Sequence, residues 1–136
     1  MKKIIILLIL IIILLVPALH KLTGDLPPAW FVGKFSDSLI GRVSGGITVS
    51  FYFIVFLELL GPIFLLISLI QLLRNKKYKA TLSIGFINYY LLFLTLTFGS
   101  FLVQDYDNGF KDFIYFVGIL IIDKLYFSDT KNELSD

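Results

Sequence analysis

The sequence predicts an all-α integral membrane protein, a four-helix bundle with a short interfacial helix in its first outer loop. Three observations carry that expectation. Apolar residues make up 57% of the 136 residues and charged residues 16%, whereas a soluble domain carries about 25% charged residues. The mean hydropathy is +0.89, and a chain this short has a high surface-to-volume ratio that a soluble fold must cover with polar groups. The apolar residues also fall into four runs, with almost all charges between them. Zero cysteine removes disulfides, thiol exchange, Fe–S clusters and Cys-based zinc sites. A single histidine removes a bis-His haem held within one chain. The net charge of +2 is too small to suggest a nucleic-acid partner.

The expected spans are residues 4–19, 46–73, 82–103 and 110–127, followed by a polar tail at 128–136, all in one transmembrane domain, 1–136. A helix needs roughly 20 residues to cross about 30 Å of hydrocarbon. The third span fits directly, and the second is long enough to tilt or project. The first and fourth are short and need snorkelling flanks, for which Lys2, Lys3, Lys21, Lys111, Asp123 and Lys124 are placed. Strict alternation is absent, and four strands cannot close a membrane barrel. The first span also has features of a signal peptide: the basic start Met1-Lys2-Lys3, an apolar core and Val16-Pro17-Ala18. Its apolar run continues to Leu19, so retention as a membrane helix is the expectation.

With four spans, the N-terminus, second loop and C-terminus share one side. They hold Lys2, Lys3, Arg74, Lys76, Lys77, Lys79, Lys124 and Lys131, against Lys21, Lys34, Arg42 and Lys111 on the other side. The positive-inside rule puts both termini in the cytoplasm, and the expected location is the inner (plasma) membrane, multi-pass. In the first outer loop, Pro27-Pro28 can open a helix. Residues 29–40 then read as one amphipathic helix, with Trp30, Phe31, Phe35 and Leu39 on one side as an interfacial anchor. Such a helix either caps the bundle or forms a lid over a site between helices.

Glu58 is the acid that the composition does not explain. It stands inside the second apolar span, where an unpaired carboxylate costs several kcal/mol. Lys21 ends the first span on the same side and is the natural partner, with His20 as second candidate. Gly61-Pro62 follows and should kink the helix and free backbone carbonyls near the acid. Glu58 is therefore either half of a structural pair or part of a ligand, proton or quinone site. Asn88, Tyr52 and Tyr115 are secondary polar candidates, explained by interhelical hydrogen bonds if not by a site. Gly85, Gly99 and Gly118 suggest close helix approach. The stretch from Asp105 to Gly109 reads as a tight outer turn, with Asp112 just beyond it. No metal site and no catalytic motif is readable.

Leu19-His20-Lys21-Leu22-Thr23-Gly24, together with Glu58-Leu59-Leu60-Gly61 and its following apolar run, resembles the DoxX-like family of membrane proteins. The family's segments are h-G-x-x-K-L-x-G and E-x-x-G, and the likeness extends over roughly residues 15–122. Pro17-Ala18-Leu19-His20 stands where the family has a glycine before the lysine, and Ile121-Ile122-Asp123-Lys124 replaces its Gly-Pro-Gly. The resemblance implies a four-helix fold with Lys21 and Glu58 as its polar pair. It also implies a non-catalytic subunit or partner of a membrane complex. Lipid is then the solvent, a membrane or periplasmic protein the partner, and oligomerisation is open. The first alternative is a quinone- or lipid-binding redox subunit with quinone as its cofactor. The second is a small proton-coupled transporter.

Overall fold

A computed structural model describes residues 1–128, and among these every regular element is helical. The expected tail at 128–136 lies outside the described residues from 129 onward. The helices are α1 (Lys2–Lys21), α2 (Ala29–Phe35), α3 (Leu39–Arg42), α4 (Gly46–Leu73), α5 (Lys79–Leu102) and α6 (Tyr106–Tyr126). Three of them, α1, α4 and α5, are long and apolar enough to cross a membrane. α6 has 21 residues, but Asp107, Lys111, Asp112, Asp123 and Lys124 lie within it.

Neighbours along the chain pack in turn, α1 on α4, α4 on α5 and α5 on α6. α4 is the central element. Its buried residues include Ile54, Leu57, Glu58, Gly61, Pro62, Leu65, Ser68 and Leu69, a stripe at helical spacing. Gly61 lets α5 approach closely, because a Cβ there would stand 2.7 Å from both the Asn88 amide nitrogen and the Tyr89 ring. Gly85 meets Leu65 in the same way, whereas Gly118 faces open space and a Cβ at Gly99 would make only ordinary contact with the Phe35 ring, at 3.7 Å. The expectation of close approach therefore fails at the last two. α4 runs unbroken through Pro62. Proline leaves the Glu58 carbonyl without its intrahelical donor, and one residue earlier the Asn88 amide donates to the Leu57 carbonyl at 2.7 Å. Tyr89, fully buried, donates to the Leu10 carbonyl of α1 at 2.6 Å. Tyr90 donates to Asp123 of α6 at 2.6 Å. Interhelical bonds of this kind contribute about 1 kcal/mol each where lipid supplies no hydrophobic drive.

The first loop departs from the single helix expected over 29–40. α2 starts after Pro28 as anticipated, but it ends at Phe35, and Ser38 begins the separate α3 by accepting a hydrogen bond from the Gly41 amide. Ser38 also donates to the Phe35 carbonyl at 2.7 Å. A hydroxyl that serves both neighbouring segments stops one helix and caps the next. Leu39 is consequently turned out and exposed. Gly45, at φ 74°, supplies the left-handed turn that starts α4.

Candidate functional site

The C-terminal end of α1, the N-terminal part of α6 and the last turns of α5 meet under α2. Lys21 closes α1, and its ammonium donates to Glu58 Oε1 at 2.5 Å. The Glu58 side chain is 4% exposed and that of Lys21 22%. The pair is thus buried on the acid side and reachable on the lysine side. Glu58 Oε2 is buried and has no hydrogen-bond partner. A buried carboxylate with one oxygen unserved is costly unless it is paired, and the bond to Lys21 meets only part of that need.

Above this pair lies a cavity of about 240 Å³, lined on its charged side by Lys21, Lys34 and Asp112. Ser100, Asn108 and Thr95 add neutral polar groups, and Trp30, Phe31 and Phe35 add aromatic walls. Phe31 and Phe35 are buried and stack in a tilted pair 4.7 Å apart, with Phe51 of α4 beneath them. They are core residues of this end of the bundle, which corrects their expected role as an interfacial anchor. Trp30 alone of the three is exposed, at 56%. α2 therefore roofs the cavity.

Lys34 of α2 donates to Asp105 at 2.7 Å and ties the roof to the turn between α5 and α6. Asp105 also caps α6, accepting from the Asn108 backbone and side-chain amides. The hydrogen bond from Lys34, then that from Asn108, holds the Asp105 carboxyl down from its ordinary 3.8 to about 2. Asp112 lies in the field of Lys34, Lys21 and Asp105, with the Ser100 hydroxyl beside it.

The other sequence candidates lie elsewhere. His20 is exposed, and its carbonyl, not its imidazole, is engaged, by Thr23. Asn88 serves α4–α5 packing. Tyr52 and Tyr115 are half-exposed, with ring contacts to Phe51 and Phe93 respectively. Residue-level reasoning missed Lys34, Asp112 and Ser100 as wall residues. Only Asp112 left a sequence signal, an acid at the edge of an apolar run. Among the described residues, no three of His, Asp and Glu converge as a metal site. Searches of protein-family models, curated proteins and solved structures returned no match.

Proposed function

We propose that this chain is a four-span inner-membrane protein of DoxX-like type, with both termini in the cytoplasm. In this role it is a ligand-holding subunit of a membrane complex and not an enzyme by itself. The observation that carries the proposal is the joined Lys21–Glu58 pair with an open cavity directly against its lysine. A merely structural pair needs no such space. A cavity with a few convergent polar groups among aromatic walls is the usual form of a small-molecule site. Its volume is below that of a drug-sized ligand, so it suits the polar head of an amphiphile whose tail remains in lipid. α6 serves as the fourth span in this proposal, apolar from Phe113 to Ile122 and with charges at each end that can snorkel.

The head group of a quinone is a second occupant, favoured by one feature. Lys21 and Lys34 line the cavity together with Trp30 and Phe31, so it offers N–H donors for ring carbonyls beside aromatic walls. A bound quinone would supply electron transfer, and the chain would supply position and hydrogen bonds.

Trp30, the sole tryptophan, lies on the cavity wall and is a built-in reporter. Titrating the purified chain in detergent with decylubiquinone or phospholipid should change its fluorescence saturably. Lys21→Ala and Glu58→Gln should each weaken that response about tenfold, the value of one lost charge-assisted hydrogen bond. A wild-type chain that responds saturably to no amphiphile would refute the proposal.

A further inference from the structure

One charged group on the cavity wall has no ion-pair partner among the described residues. Lys21 is paired with Glu58 and Lys34 with Asp105, neither carboxylate lining the cavity, which leaves Asp112 as the one carboxylate on its wall, without an ion pair among the described residues. Asp112 has the Ser100 hydroxyl beside it but no cation of its own, so the ligand group that best matches it is a cation. A matching ligand also brings an acceptor, because each lysine ammonium has three N–H groups and donates one of them to its carboxylate. A quinone offers acceptors but no cation.

A second observation concerns the tail. An apolar cleft of about 70 Å³ adjoins the cavity and shares Phe31, Phe35, Ile54, Thr95 and Gly99 with it. The cleft runs between α4 and α5 and is edged by Phe53 and Phe98, which are 44% and 65% exposed. It leads from the charged head site to the outer, apolar face of the bundle.

We propose that the cavity and cleft together hold one phospholipid with a primary-amine head of the phosphoethanolamine class. Its ammonium lies against Asp112, its phosphate on Lys21 and Lys34, and the start of one acyl chain in the cleft. This inference rests on the amphiphile-binding proposal and names its ligand. A primary ammonium donates hydrogen bonds to a carboxylate, which a trimethylated amine cannot do. A phosphoglycerol head seats the same phosphate on the lysines but offers Asp112 only neutral hydroxyls, whose hydrogen bonds to a carboxylate are weaker than an ammonium's.

The experiment is a Trp30 fluorescence titration of the delipidated full chain in detergent. The probes are dioleoyl phosphatidylethanolamine, phosphatidylcholine and phosphatidylglycerol, with decylubiquinone and free phosphoethanolamine as further arms. The ethanolamine lipid should bind about tenfold tighter than the other two, and Asp112→Asn should erase that preference. Gly99→Leu, which fills the wall shared by cavity and cleft, should weaken all three lipids. Equal binding of the three lipids by the wild-type chain overturns the inference without recourse to any variant, and so does a preference that survives Asp112→Asn in a folded protein. Free phosphoethanolamine competing at the lipid's own concentration would overturn the membrane source. Saturable binding of the quinone with no response to phospholipid would overturn this inference and leave the broader proposal standing. Silence toward every probe would overturn both.

Discussion

Removing Lys21 leaves Glu58 buried with neither oxygen served, whereas removing both removes the problem. That asymmetry is measurable. Lys21→Met should destabilise the chain by about 3 kcal/mol, the lower end for breaking a buried pair. Lys21→Met combined with Glu58→Met should recover most of the loss, read as thermal unfolding midpoints in detergent. Equal midpoints for the wild type and the single variant would show that the pair carries no load. Asp105 makes a second residue-scale prediction. Its carboxyl is held at about 2 by Lys34 and Asn108. The folded value lies below the unfolded one, so the stabilisation is present above the ordinary 3.8 and is lost as pH falls through about 2. A carboxyl-carbon NMR titration should place the midpoint near 2 in the wild type and higher in Lys34→Met, though still below the ordinary value because the Asn108 bonds remain. At this scale the Lys21–Glu58 contact was legible, because an acid in an apolar run demands a cation at matching depth. Asp112 was not legible as a wall residue. Its meaning depends on the roof helix that brings Lys34 over it, and no local pattern encodes that long-range meeting.

The α4–α5 seam is where sequence and packing agree most closely. Gly61, Asn88 and Tyr89 form one contact, with the amide of Asn88 on the Leu57 carbonyl and the Tyr89 ring against Gly61. Gly61→Ala places a methyl 2.7 Å from both side chains, and overpacking of this kind costs about 1–3 kcal/mol. Gly33 is the control, a helical glycine of α2 with nothing within 4 Å of an added Cβ. Gly33→Ala should leave the midpoint unchanged or raise it slightly, since alanine is the better helix former. Equal midpoints for the two variants would show that the helices do not meet at Gly61. The long helices were legible from their apolar runs. The break between α2 and α3 was not, because Ser36, Asp37 and Ser38 fall where an amphipathic helix would place polar residues as readily as a cap would. That break is what keeps Phe35 buried and turns Leu39 out.

For the whole molecule, the proposed topology makes a discriminating prediction about which loops face which side. The basic cluster from Arg74 to Lys79 joins α4 to α5 at the end opposite the cavity, and positive charge is retained on the cytoplasmic side. The cavity would then face outward, and a ligand would enter from the outer leaflet. The chain has no cysteine, so single-cysteine variants report without background. Asp25→Cys, in the loop before α2, should react with a membrane-impermeant maleimide on intact cells. Ala80→Cys, in the first turn of α5, should react only after permeabilisation; both substitutions leave every lysine and arginine in place. The opposite pattern would invert the protein and put the cavity in the cytoplasm. Ser128→Cys separates a third possibility. If α6 crosses the membrane, this position is protected like Ala80. If the charges within α6 hold it at the outer surface, it labels from outside like Asp25, and the bundle has three spans. The bond from Lys34 to Asp105 ties α2 to the start of α6 in either case, so a three-span result would revise the topology while leaving the cavity chemistry intact.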